Sequence, residues 1–160
     1  MAVGYEVRER MLNWILGSVL RRGQKQQIDE HLLSPERFEG RLYEERARAD
    51  RANTPFTCLV FEALRSMDQV DRKKAERLFA GVLTEHTREI DIKGWYGRNV
   101  GLILPLTSSV DAEKVWDKLR AEFRKQVIRN FDAALPLPEY KCVLRAHPRM
   151  IRDRRSSTVS

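Results

Sequence analysis

The stretch "TREIDIKGWYGRNVGLILPLT", residues 87–107, decides the fold of this chain. Its apolar residues first alternate with polar ones and then run almost without interruption, which predicts two strands, over 89–95 and 100–106. The short segment between them, 96–99, contains the glycine and the asparagine that tight turns favour. The stretch therefore predicts an antiparallel hairpin, whose neighbours in the sheet must come from the rest of the chain.

Strands and helices alternate on both sides of this hairpin. An apolar strand over 55–64 and a helix over 68–86 are predicted before it, and a capped helix over 110–130 and a strand near 139–145 after it. The order strand, helix, strand, strand, helix, strand is typical of the split β-α-β motif of ferredoxin-like folds. We therefore predict an α/β (α+β) fold, a ferredoxin-like or nucleotide-cyclase-like antiparallel sheet with helices packed on one face, preceded by N-terminal helices.

Two amphipathic helices are predicted ahead of the first strand. In 5–22 the apolar side chains follow the helical period, and in 34–53 Ser34 supplies an N-cap and Pro35 the first helical residue. The helix over 5–22 could dock on the domain, pair with a second copy or lie on a membrane surface, and we favour the first two. The predicted organisation has three parts: a helical segment (1–33), the domain (34–148) and a basic flexible tail (149–160).

The charge of the chain is concentrated at its C-terminal end. Of the 160 residues 42% are apolar and 33% are charged, which is the composition of a globular domain. Much of the net charge of +7 comes from six basic residues set against the single acid Asp153: Lys141, Arg145, Arg149, Arg152, Arg154 and Arg155. Because few aromatic residues and no nucleic-acid-binding motif accompany this charge, we expect no nucleic-acid partner.

Membrane insertion, disulfides and metal sites are not indicated by the sequence. The apolar stretch nearest the start, 11–20, is shorter than the roughly 20 residues that a membrane-spanning helix needs, and it lacks a signal-peptide cleavage site. We therefore expect a cytoplasmic protein. Cys58 and Cys142 each lie inside an apolar run, so we expect buried, reduced thiols, although the last strand should lie beside the first. No residues have zinc-site spacing, so we expect no metal site.

Several short motifs along the chain share their spacing with one protein family. In chain order they are "DEHLLSPERF" (29–38, with Asp29, Arg37 and Phe38), "PFTCLVFEAL" (55–64), Arg88-x-x-Asp91, "GRNVG" (97–101) and "LILPLT" (102–107). From Asp29 to Thr107 this pattern resembles the GGDEF domain, the bacterial diguanylate cyclase family. The remainder of the chain is similar only in the order of its predicted elements. The resemblance implies a nucleotide-cyclase-like fold.

The signature loop departs from the family at the positions that carry its chemistry. Its five positions are Gly97, Arg98, Asn99, Val100 and Gly101. In active cyclases of the family, a hairpin carboxylate and an Asp ending the first strand hold two Mg²⁺ ions on the triphosphate, because hard divalent cations need oxygen ligands. Here Asn99 and Val100 replace the two acids and Arg98 replaces the second glycine. Of the first strand's acids only Glu62 remains.

The connection between the first strand and the hairpin is also shorter than the resemblance requires. The missing residues fall where family members hold a phosphate-contacting Lys and a guanine-contacting Asn, and "RSMDQVDRKK" (65–74) contains neither a Gly nor an Asn. Loss of the metal ligands and of the nucleotide cradle together predicts that the chain is not an enzyme. We therefore expect no catalytic residues and no cofactor.

Arg88 and Asp91 are the remaining candidates for a ligand site. The resemblance places them where active cyclases carry a product-inhibition site for cyclic di-GMP, and an Arg can grip a phosphate while an Asp accepts from a guanine edge. Alternatively, Arg88 ends a helix favourably and Asp91 anchors the start of a strand. We favour the structural interpretation.

The predicted function is that of a non-catalytic, degenerate signalling or regulatory module. It would act through a protein partner or through self-association of its helices over 5–22 and 34–52. The first alternative is a cyclic di-GMP sensor that uses Arg88 and Asp91. The second is an active diguanylate cyclase with unusual metal ligands, for which Glu62 would be required.

Overall fold

Three helices and four strands form the part of the chain that this computed structural model describes, residues 32–64, 66–133 and 136–148. In chain order they are α1 (Pro35–Ala52), β1 (Phe56–Ala63), α2 (Gln69–His86), β2 (Ile92–Tyr96), β3 (Asn99–Pro105), α3 (Ser109–Asn130) and β4 (Tyr140–His147). The predicted order of elements is confirmed. The predicted helix over 5–22 and the tail over 149–160 lie outside the described residues.

The sheet has the strand order β2-β3-β1-β4, and all its pairs are antiparallel. β1 lies in the middle, with Phe61 opposite Val100 on one side and opposite Cys142 on the other. The predicted hairpin forms between β2 and β3, where Gly94 is opposite Gly101. This arrangement confirms the predicted ferredoxin-like, nucleotide-cyclase-like α+β fold.

The main core lies between one face of the sheet and helices α2 and α3. Phe61 packs edge-on against Phe79 at 4.8 Å between ring centroids, and Phe79 packs against Phe123 and Tyr140 at 5.2 and 4.8 Å. Leu119 is fully buried among them. Each such side chain stabilises the fold by about 1.5–3 kcal/mol relative to leaving it in water.

Helix α1 covers the opposite face of the sheet, which corrects the expectation that helices pack on one face only. Its Phe38 is fully buried against the strand pair Gly94–Gly101. A Cβ atom at Gly101 would lie 2.5 Å from Phe38 Cζ, and one at Gly94 would lie 2.7 Å from Phe38 Cδ2. Two opposed glycines therefore make room for this ring, with Leu33 beside it at Gly94, and the domain has three layers.

The chain enters the domain along the edge of β2. Leu33, the last residue of the predicted leading segment, donates its N–H to the carbonyl of Lys93 at 3.0 Å and accepts from the N–H of Trp95 at 2.9 Å. The predicted N-cap then starts α1, because the N–H of Arg37 points at Ser34 Oγ at 3.4 Å. This short extension of the sheet places α1 over β2 and β3.

Both cysteines are free, as expected, and they lie on neighbouring strands. Cys58 faces α1, whereas Cys142 lies opposite Phe61 and packs on the other core. Burial raises the pKa of each thiol to about 12, so both remain protonated at neutral pH. Within the described residues, no helix is both long and apolar enough to cross a membrane.

Candidate functional site

The signature loop forms a tight two-residue turn at one end of the sheet. Tyr96 and Asn99 are the last paired residues of the hairpin, and only Gly97 and Arg98 lie between them. Gly97 has a φ of +61°, whereas Arg98 has a negative φ. A type II′ turn uses this combination and favours glycine at its first central position. The sequence at 97–98 therefore suits a strand connection.

The two positions that carry acids in the family are occupied differently in this fold. Val100 is 2% exposed and points into the core beneath α2 and α3, opposite Phe61. Asn99 is half-buried at the end of β3. Gly101, the fifth signature position, lies under the ring of Phe38. The loop thus contributes an apolar side chain and a close-packing glycine to the two cores.

Little free space is left between the hairpin, α2 and the start of β4. A cavity of about 10 Å³ lies there, lined among others by Glu76, Asn99 and Tyr140, and this is about the volume that a single water requires. Tyr140 Oη is buried and has no hydrogen-bond partner among the described residues. Burial raises the pKa of Tyr140 and also that of Glu76, whose shift is opposed by Arg72 and Lys73. The region is packed and largely dehydrated.

The acidic residues near this end of the sheet are already engaged. Glu62 forms an ion pair with Lys141, its neighbour across β1 and β4, at 2.7 Å. Asp68 caps α2 and accepts from the N–H groups of Val70 and Asp71 at 2.9 and 2.8 Å. In the part of the chain that the structure describes, no three His, Cys, Asp or Glu side chains group so as to hold a metal ion.

At the opposite end of the sheet, Arg88 and Asp91 bind each other. One guanidinium nitrogen of Arg88 lies 2.9 Å from Asp91 Oδ1, and Nε lies 3.2 and 3.3 Å from the two carboxylate oxygens. The backbone N–H of Arg88 also donates to Asp91 Oδ2 at 2.8 Å. The Asp91 side chain is 3% exposed and that of Arg88 53% exposed. The buried carboxylate is therefore neutralised within the motif itself.

Two threonines join this pair to the ends of β1 and β3. The same Arg88 nitrogen lies 3.0 Å from Thr107 Oγ1 and 3.2 Å from the carbonyl oxygen of Pro105. Thr57 Oγ1 donates to the carbonyl of Thr107 at 2.9 Å. Thr57 and Thr107 are buried. Thr57 is a site residue that was not predicted; its only signal in the sequence is a polar side chain inside an otherwise apolar strand.

The network bears on the two interpretations of the Arg-x-x-Asp motif. Asp91 does stand at the start of β2, and the turn that precedes this strand is closed by its N–H, which donates to the carbonyl of Arg88 at 3.1 Å. Arg88, however, lies two residues beyond the end of α2 at His86, and its guanidinium contacts Asp91, Pro105 and Thr107 instead of the helix carbonyls. The predicted β2 is shortened for the same reason, since 88–91 form the turn.

A shallow groove runs beside this network, between α1 and the start of β2. It encloses about 670 Å³ and is lined by basic and acidic side chains: Arg37, Arg41, Lys93, Glu44, Glu89 and Asp91. Arg41 is paired with Glu44 at 3.1 Å. Because the groove lies next to Arg88, a ligand there would meet several cations before reaching the pair.

Solved structures of several bacterial proteins share this fold. A DGC protein from Thermotoga maritima superposes with a TM-score of 0.61 at 18% identity, over 74% of this chain and 83% of that one. The coiled coil and GGDEF domain of DgcB from Caulobacter crescentus, in complex with c-di-GMP, gives 0.62 at 13% identity over 89% and 82%. Diguanylate cyclase SiaD of Pseudomonas aeruginosa, in complex with its activator SiaC, gives 0.53 at 19% identity over 89% and 61%.

These likenesses establish the fold, and the fold defines the class, a nucleotide-cyclase-like α+β domain. No family model and no curated protein matched the chain. Within that class the chain has the fold of the solved GGDEF domains, which is the fold that its motifs predicted.

Proposed function

We propose that this chain is a non-catalytic, degenerate GGDEF-like domain of the bacterial cytoplasm that regulates a partner through protein contacts. The observation that carries the proposal is the position of Val100, whose side chain is buried in the main core where the family has a metal-binding acid. Valine offers no oxygen to a cation, and the site it occupies has no solvent to hydrate one.

Three further features support the loss of phosphoryl chemistry. Glu62, the remaining acid of the first strand, is neutralised by Lys141 at 2.7 Å. Arg98 stands where a glycine would let the backbone approach a nucleotide. The cavity between the hairpin, α2 and the start of β4 measures about 10 Å³, which is small against the roughly 300–1,000 Å³ of ordinary ligand pockets. Turnover of GTP would require a metal site, a nucleotide-binding loop and a cavity of sufficient volume.

Regulation through protein contacts is supported by a relative and by the sequence. SiaD, which shares this fold, was solved in complex with its activator SiaC. In this chain the apolar side of α1 packs against the sheet of the same domain, through Phe38 and Ala49. The helix predicted over 5–22 is therefore the segment that we assign to self-association.

An assay of GTP turnover tests the proposal. The full chain is incubated with GTP and Mg²⁺ beside an active diguanylate cyclase, and cyclic di-GMP and pyrophosphate are measured. We expect neither product, and we expect GTP with Mg²⁺ to leave the melting temperature unchanged, because a ligand that binds only the native state must raise it. Turnover that is lost in Glu62→Ala would establish the active cyclase instead.

A cyclic di-GMP sensor is the second candidate, favoured by the groove of about 670 Å³ beside Arg88, whose lining includes Arg37 and Lys93. DgcB, which shares the fold, was solved with c-di-GMP. To bind it here, Arg88 would have to release Asp91, which is 3% exposed. Calorimetric titration with cyclic di-GMP decides between the two: saturable heat that is lost in Arg88→Ala but kept in Lys73→Ala, at an exposed position of α2, would favour the sensor.

A further inference from the structure

The outer edge of β4 carries unpaired backbone groups. Among the described residues β4 pairs with β1 alone and ends the sheet. The N–H of Leu64 donates to the carbonyl of Glu139 at 2.9 Å, so these opposite residues form a hydrogen-bonded pair. Because hydrogen-bonded and non-bonded pairs alternate along an antiparallel ladder, this bond fixes which residues of β4 bond to β1. Residues 141, 143, 145 and 147 therefore bond to β1, while Cys142, Leu144 and Ala146 direct their N–H and C=O groups outward.

On the α1 side of this edge the strand presents basic side chains. Lys141, Arg145 and His147 share that face, since they lie opposite β1 residues that face α1. A groove of about 540 Å³ separates β4 from α1 and includes Arg46, Val60 and Arg145 in its lining. The Arg145 guanidinium lies 5.7 Å from the Tyr96 ring centre, and no described carboxylate pairs with Arg145 or Arg46. Lys141 and His147 are paired with Glu62 and Asp50, each at 2.7 Å. The groove is thus apolar at its base, and the cationic character of its rim comes from Arg46 and Arg145.

On the other side the edge is apolar. Cys142 and Leu144 are half-buried against the main core. A second groove, of about 470 Å³, lies between α3 and the start of β4, with apolar lining residues Trp116, Val127 and Leu137 and the exposed Arg120 and Arg124. The edge is therefore flanked by a groove on each face. A segment that binds along this edge would need polar side chains on one face and apolar side chains on the other.

Charge argues against a second copy as the occupant. Directly opposite residues of two antiparallel strands share a face, so a two-fold pair of β4 strands places odd residues opposite odd ones. Centred on Val143, it would set Lys141 against Arg145 of the second copy; centred on Leu144, it would set Val143 against Arg145, so neither register offers Arg145 an acid. The chain's own tail, 149–160, has four arginines and the single acid Asp153, and is equally unsuitable.

We propose that the outer edge of β4 binds an extended segment of a partner protein as an added strand. Its acidic side chains lie toward Arg145 and Arg46, and the apolar ones between them lie toward Cys142 and Leu144. Main-chain hydrogen bonds to residues 142, 144 and 146 supply affinity, and the alternation of charge supplies register. The inference rests on the proposed function, action through protein contacts, and adds the surface and the chemistry of the partner.

Synthetic peptides test this site on the full chain. The probe is a labelled eight-residue peptide of alternating Glu and Val, and the controls are the same residues in two blocks and an alternating Lys and Val peptide. Anisotropy measures binding, and amide hydrogen exchange locates it. We expect saturable binding of the first peptide, at least about tenfold tighter than of either control, with slower exchange at the amides of Cys142, Leu144 and Ala146.

Substitutions at two positions distinguish strand addition from a general attraction between opposite charges. Ala146→Pro removes an outward N–H and leaves the bonds to β1 intact, as edge strands tolerate, so it should weaken binding at least about tenfold, whereas Ala146→Val should not. Arg145→Glu should abolish binding and Arg145→Lys should keep most of it. Melting curves of each variant show that it is folded.

The outcomes are distinct for the two proposals. Absent binding, equal binding of the blocked peptide, binding without amide protection, or an unaffected Ala146→Pro variant would each overturn the strand-addition site. Self-association that Ala146→Pro abolishes would overturn it too, in favour of a second copy. GTP turnover by the same samples would overturn the proposed function without altering these results.

Discussion

The residues that resemble the family's motifs have different roles at the two ends of the sheet. At the hairpin end the residues at the signature positions are packing residues, with Val100 in one core and Gly101 beneath Phe38 in the other. At the opposite end Arg88 binds both Asp91 and the neighbouring Thr107. Polar residues of a family-like motif can therefore serve the fold by joining strands.

The largest effect should come from putting an acid back at the hairpin end. Val100→Glu buries a carboxylate in the main core without a partner, and we expect a loss of at least about 4 kcal/mol in the free energy of unfolding. Urea denaturation measures it. Asn99→Asp, at the adjacent half-buried position, is the control and should change stability little. A stable Val100→Glu variant would mean that this loop can still open to solvent.

The second largest loss of stability should come from removing the carboxylate of Asp91 at the opposite end of the sheet. Asp91→Ala leaves the Arg88 N–H and guanidinium without their acceptor, and we expect a loss of about 3 kcal/mol, since hydrogen bonds to charged groups are worth about 1.5–3 kcal/mol. Glu89→Ala, exposed two residues earlier, should stay within about 0.5 kcal/mol. Equal stability of the two variants would show that Asp91 is reserved for a ligand.

The glycine at the fifth signature position should tolerate no side chain. Gly101→Ala places a Cβ 2.5 Å from Phe38 Cζ, and overpacking of this kind costs about 1–3 kcal/mol. Phe38→Leu removes the clashing atom, so the alanine should cost less in that background, which a double-mutant cycle on urea midpoints would reveal. If the changes in stability of the two substitutions were additive, Phe38 would not contact Gly101, and α1 would not cover this part of the sheet.

The smallest effect is expected at Glu62. It pairs with Lys141 at 2.7 Å, but the two side chains are 36% and 54% exposed, and exposed pairs contribute about 0–1 kcal/mol. Glu62→Gln should therefore change stability by less than about 1 kcal/mol, and Lys141→Gln by as little. A gain in stability on adding Mg²⁺ to the unmodified chain, lost in Glu62→Gln, would indicate a surviving cation site.

The order and type of the elements followed from periodicity and caps. Ser34 with Pro35, Ser108 before α3 and the glycine in the hairpin are local signals, and each acts within a few residues. The beginning of β2 was misplaced because Asp91 closes a turn with Arg88, and that turn is held by Pro105 and Thr107, which are distant in sequence. The sequence predicted Arg88 and Asp91 as candidate residues, but it did not indicate that Arg88 also contacts Pro105 and Thr107.

The sequence alone determined which atoms are present: a hairpin with Asn99 and Val100 at its acid positions, two thiols, and an Arg-x-x-Asp motif. Only the tertiary structure decided which face α1 covers, that Val100 points into a core, that Thr57 donates to Thr107, and that among the described residues β4 pairs with β1 alone. The physical reason is range: propensity and capping act along a few residues, whereas burial, charge pairing and strand order depend on groups that folding brings together from 20 or more positions apart.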